Sequence, residues 1–148
     1  PTSAELVSRD GEAHIDFQLA DGKCYVGGFV YRLPIGAGDQ LGIAVVASKM
    51  RGGVPATALS EEQASFAHAI AYLSVAMQGA PAWALDTEGR VDLRLVPDMV
   101  IESLIIEVSK HAARFRDGTS DRNKAAIARH GSGGMPAAGV GGEVGAAV

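Results

Sequence analysis

A chain of 148 residues is long enough for one domain with a real hydrophobic core, and with only 5% aromatic residues that core must be built mainly from Ala, Val, Leu and Ile. A formal net charge of −4 argues against nucleic acid as the main partner and against an anionic membrane surface, since both call for a local excess of Lys and Arg. Cys24 is the single cysteine, no apolar run reaches the ~20 residues of a membrane span, and Pro1-Thr2-Ser3-Ala4-Glu5 lacks the basic and apolar parts of a secretion signal, so a soluble protein of a reducing cytoplasm is expected.

In chain order, residues 14–19 alternate polar and apolar, which places Ile15, Phe17 and Leu19 on one face of a strand. Asp21-Gly22 is a hairpin-turn dipeptide, and residues 24–33 read as the return strand with Tyr25, Phe29, Tyr31 and Leu33 on one face. Gly27-Gly28 in mid-strand implies a bulge or a close backbone contact, and Pro34 ends the strand. Residues 39–51 read as a helix, with Ile43, Val46, Ala47 and Met50 on one face, Gly38 or Asp39 as its cap and Gly52-Gly53 as its stop. The β-branched run at Ile43-Ala44-Val45-Val46 makes a strand the competing reading there. Ser60-Glu61-Glu62-Gln63 is a capping box that opens a second helix, with the stripe Phe66, Ile70, Leu73, Met77 and a stop at Gly79-Ala80-Pro81.

Residues 83–96 read as a linker with a short extended piece at 91–95. Pro97 suits the first position of a third helix, which carries Ile101, Leu104, Ile105, Val108 and Ala112 as its apolar stripe. Lys110, His111, Arg114 and Arg116 lie near its end, where cations suit the helix dipole, and Asp117-Gly118 is its expected stop. Residues 119–148 differ in kind. Residues 122–130 allow one or two helical turns, and a Gly/Ala-rich run follows that has almost no large side chain to bury. Ordering such a tail costs roughly 1–2 kcal/mol per residue, so it is expected to be flexible unless a partner holds it. The expected fold is therefore α+β: an N-terminal β-hairpin and a three-helix unit over residues 1–117, followed by an extended tail over 118–148.

Chemistry has few footholds. Gly36-Ala37-Gly38-Asp39-Gln40-Leu41-Gly42 follows a strand and opens a helix, as a dinucleotide-binding turn does. Its spacing is wrong, however, and Asp39 would set a negative charge where a pyrophosphate should sit. A nucleophilic Cys24 needs a nearby base, for which His14 across the hairpin is the candidate. His68, His111 and His130 have no metal-ligand spacing; His68 reads as an edge residue of its helix and His111 as a charge carrier near a helix end. Glu61 and Glu62 are adjacent on a helix and point apart, so they form no acid/base pair. No catalytic residue, cofactor or metal is expected. Trp83 is either an anchor for a partner or a plug for the core.

The order of these features resembles the small tail assembly chaperones of long-tailed bacteriophages over roughly residues 13–116. The residues that carry the resemblance are Tyr31-Arg32-Leu33-Pro34, Gly36-Ala37-Gly38-Asp39, Lys49-Met50-Arg51-Gly52-Gly53, Ala80-Pro81-Ala82-Trp83 and Arg114-Phe115-Arg116. The resemblance implies a non-enzymatic protein, in the host cytoplasm during assembly, that coats the tape-measure protein while the tail tube polymerises. It also implies self-association, and a C-terminal extension of the kind some members make by frameshifting. A chaperone of a long apolar helix would use exposed small-residue surfaces, here Ala44, Ala47, Ala64, Ala67 and Ala71, with Trp83 and the basic residues Arg122, Lys124 and Arg129 completing the candidate partner-binding set. The alternative within that context is a structural virion component (capsid, connector or tail protein) tethered to neighbouring subunits by its tail.

Overall fold

The alternating run around Ile15 forms β1 (Asp10–Gln18), and Gly22, at φ 92°, turns the chain back as β2 (Cys24–Arg32). The two pair antiparallel in one register from Asp10 opposite Arg32 to Gln18 opposite Cys24. Ala13, Ile15, Tyr25, Phe29 and Tyr31 face the core, while Glu12, His14 and Asp16 face solvent. The computed structural model describes residues 6–134. They continue with α1 (Ala37–Met50), α2 (Glu61–Ala76), β3 (Met77–Gly79) and α3 (Asp98–Gly134), with 3-10 turns at Ala56–Ala58, Ala82–Ala84 and Leu93–Leu95. The fold class is α+β, a three-stranded antiparallel sheet in the order β1-β2-β3 followed by helices.

Residues 37–50 are helical in spite of their β-branched run, because Ile43 and Ala47 share one buried face. Gly36 is the N-cap, and the Asp39 carboxylate accepts its N–H at 3.1 Å. Gly52 and Gly53, at φ 66° and 83°, end the helix in a conformation that a residue with a Cβ adopts only at a cost. α2 is capped as expected: Ser60 Oγ accepts the Gln63 N–H and Gln63 Oε1 accepts the Ser60 N–H, each at 3.1 Å. The two helices meet through Ile43, Ala47 and Ala71, flanked by Val46, Tyr72 and Val75. Alanine at 47 and 71 is what lets the backbones approach.

The described chain divides into two units, Ser8–Ala112 and a second that joins residues 6–7 to residues 113–134. In the first unit the sheet and the residue after it, the α1–α2 pair, the 3-10 turn at Leu93–Leu95 and the opening turns of α3 contribute the fully buried Phe29, Leu33, Ile43, Leu73, Leu93, Val100, Ile101, Leu104 and Val108. In the second, Val7 lies against Gly118: a Cβ built there would stand 3.7 Å from it.

Four local expectations are corrected. Met77 is not a member of the α2 stripe, and α2 does not reach Gly79; the helix stops at Ala76 and the chain straightens into β3, which pairs Tyr31 with Met77 and Val30 with Gly79 across a bulge. The free side of β2 supplies hydrogen bonds that helix propensity cannot weigh. Residues 93–95 form a 3-10 turn instead of an extended piece, capped by Asp92 Oδ1, which accepts the Arg94 N–H at 3.0 Å. Asp117-Gly118 does not end α3, which runs on to Gly134. A lone glycine inside a helix costs only about 1 kcal/mol, and no proline lies between Gly118 and Gly134 to block it. His111, finally, is a core residue and not a solvated charge carrier: it is 6% exposed. The extended Gly/Ala-rich stretch of the tail, residues 135–148, lies outside the described residues.

Candidate functional site

The register of the hairpin separates the two residues of the thiol reading. Cys24 stands opposite Gln18, and His14 stands opposite Gly28, four positions along the strand. At about 3.3 Å per residue, that puts their backbones on the order of 13 Å apart. Cys24 is exposed, and its Sγ lies 3.6 Å from the Gly22 carbonyl oxygen. In the Gly36–Gly42 turn, the helix N-terminus that would hold a phosphate is taken by Asp39, whose carboxylate also lies 3.8 Å from the Arg9 guanidinium. Among the described residues, no group of three or more His, Cys, Asp or Glu side chains is placed to hold a metal ion. His68 is exposed on α2.

His111 has a structural assignment. Its Nε2 lies 2.7 Å from the Ser8 carbonyl oxygen and its Nδ1 lies 2.8 Å from the Tyr31 hydroxyl. A carbonyl oxygen can only accept, so Nε2 carries the proton, and in the neutral ring Nδ1 accepts from the hydroxyl. Gly11 is part of this arrangement, because a Cβ there would stand 2.5 Å from the Tyr31 ring and hydroxyl and 2.8 Å from His111 Nδ1.

The small-residue surface is not free as a whole. Ala47 and Ala71 are buried at 4% and 0% between α1 and α2, so these two of the candidate contact residues already serve the chain's own packing. Ala44 is exposed, and Ala64 and Ala67 are half-buried. Trp83 is half-buried and anchored: its ring meets Tyr25 and Phe29 edge-on at 5.0 and 5.5 Å, and its Nε1 donates to the Val26 carbonyl at 3.0 Å. Gly27 makes room for this, since a Cβ at that position would stand 2.5 Å from the Pro81 ring. Arg122 and Lys124 are exposed on α3; the side chain of Arg129 lies outside the described residues.

What the sequence reading missed is a groove of about 620 Å³ between α2 and the first turns of α3. Phe66, Ala69 and Ile105 supply its apolar surface, and Glu62, Asp98 and Glu102 its acidic rim. Phe66 belongs to the expected apolar stripe of α2, but lying near the open N-terminal end of that helix it stays 36% exposed. The stripe Phe66, Ile70, Leu73 was legible in the sequence. That its first member lacks a cover depends on where α3 begins.

Searches against family models, curated proteins and solved structures find no match to this chain. Among the described residues, no helix is long and apolar enough to cross a membrane.

Proposed function

We propose that this chain is a non-catalytic morphogenesis protein of a long-tailed bacteriophage, a tail assembly chaperone that holds helical segments of the tape-measure protein in the host cytoplasm while the tail tube polymerises. The observation that carries this reading is the groove between α2 and α3, with its apolar Phe66, Ala69 and Ile105 and its rim of Glu62, Asp98 and Glu102. An amphipathic helix fits such a site by laying its apolar face into the groove and its Lys or Arg residues along the rim. The resemblance of residues 13–116 to these chaperones supports the same reading, as does the α+β order of a hairpin followed by helices. Two of the five alanines first considered are buried, so the partner contact shifts from an alanine surface to this groove. Self-association belongs to the same proposal.

Co-expression with the tape-measure protein is the test. The expected result is a soluble complex that Phe66→Asp disrupts while the variant keeps its fold by circular dichroism. No gain in tape-measure solubility overturns the reading. So does mass spectrometry that finds the chain at stoichiometric copy number in purified virions, which identifies a structural virion component instead.

A further inference from the structure

β1 is one of the two edge strands of the sheet, and among the described residues nothing pairs with its other side. The ladder bonds identify which groups are left over. The Leu33 N–H donates to the Arg9 carbonyl and the Leu19 N–H to the Lys23 carbonyl, so the odd-numbered residues of β1 bond to β2. The N–H and C=O groups of Glu12, His14, Asp16 and Gln18 therefore point away from the sheet. Asp10 is covered separately, its N–H donating to Ser8 Oγ at 3.0 Å.

A groove of about 430 Å³ runs along this edge, between Glu12 to Phe17 of β1 and Val100, Ser103, Ile106 and Glu107 of α3. Ile106 is 54% exposed and gives the groove an apolar wall beside the strand. Glu12, Asp16 and Glu107 make it acidic, and among the described residues no Lys or Arg lines it.

We propose that this edge is a strand-addition site for an extended, basic segment of a partner protein. Backbone bonds to the outward groups of Glu12, His14 and Asp16 would supply the pairing, as in other complexes that extend a sheet. Side-chain periodicity then sets the sequence of the guest. Two basic residues four positions apart stand opposite Glu12 and Asp16 on the solvent face. The two residues flanking the middle position are apolar and turn toward Ile106. The pattern is basic–apolar–any–apolar–basic. A second copy of this chain is the wrong guest, because antiparallel pairing of two β1 strands about His14 sets Glu12 against Asp16, and like charges directly opposed are destabilising. This site is separate from the groove between α2 and α3, so either proposal can fail alone.

The test uses the full chain and a fluorescent nine-residue peptide centred on Lys-Val-Thr-Val-Lys. Saturable binding is expected by anisotropy, with amide exchange of His14 and Asp16 slowed on binding and that of Ala13 and Ile15, already in the ladder, unchanged. Glu12→Lys with Asp16→Lys should weaken binding at least tenfold. His14→Pro should do the same, because it removes only an outward N–H and leaves the ladder to β2 intact. If His14→Pro fails to fold, the charge variant and the exchange pattern decide. Equal binding of a peptide of the same composition with its two lysines adjacent shows mere charge attraction and overturns the proposal. Absence of binding overturns it too, leaving an acidic edge that only repels other strands. Slow exchange of His14 and Asp16 in a dimer without peptide overturns it in favour of self-pairing.

Discussion

Tyr31→Phe removes one oxygen from the buried junction that ties β2 to α3. The hydroxyl lies 2.8 Å from His111 Nδ1, and the two residues are 4% and 6% exposed. Without it, His111 keeps one of its two partners, the Ser8 carbonyl. If Nε2 keeps its proton for the Ser8 carbonyl, Nδ1 is an unsatisfied buried acceptor; if the proton moves to Nδ1, the Ser8 bond at 2.7 Å is lost. Either way at least one buried polar group goes unpaired, which costs about 1–3 kcal/mol. For a chain of this size that is about 4 °C of melting temperature per kcal/mol. His111→Leu should cost at least as much, since it breaks both bonds. The double variant should be more stable than the sum of the two losses by about 1 kcal/mol or more, because neither half of the Tyr31–His111 bond is then left buried without the other, while the loss at the Ser8 carbonyl is the same as in His111→Leu alone. Urea or thermal melting followed by circular dichroism measures all four corners of the cycle. Additivity within about 0.5 kcal/mol would refute the assignment of His111 as the acceptor of the Tyr31 hydroxyl.

Gly27→Ala should destabilise by about 1–3 kcal/mol, because its Cβ would stand 2.5 Å from the Pro81 ring; displacement of the Pro81–Trp83 segment would appear as a red shift in the fluorescence of the single tryptophan. Ala71→Leu should cost a similar amount by forcing α1 and α2 apart, whereas Ala44→Leu on the exposed side of α1 should stay within about 0.5 kcal/mol, both read by denaturant melting. Cys24→Ala should leave partner solubilisation and stability unchanged; a loss of either would revive a role for the thiol. The Asp86 carboxyl is held below its ordinary value, first by the Arg90 backbone N–H and then by that of Glu88. A depressed carboxylate contributes its stability above the unfolded value of about 3.9 and loses it as pH falls through the folded one. The 86–90 turn should therefore hold at neutral pH and loosen only in acid, and NMR titration of the Asp86 carboxyl should find a midpoint below that of a free aspartate.

Local rules determined much of this protein from the sequence. Alternation and Asp21-Gly22 specify the hairpin, and the capping residues at Ser60 and Gln63 specify the start of α2, because each is settled by neighbours within a few residues. The close contact implied by Gly27 was legible too, although not its partner, Pro81, which is distant in the chain. Tertiary structure decided the rest. Whether Met77 continues a helix or begins β3 depends on the unpaired side of β2, and whether His111 is solvated or buried depends on Ser8 and Tyr31 arriving at its two nitrogens. Helical periodicity marks Ala47, Phe66 and Ala71 alike as small or apolar positions on helix faces. Only the packing of α1 on α2 buries the two alanines and leaves Phe66 at the mouth of a groove, because burial is a property of what lies opposite a side chain.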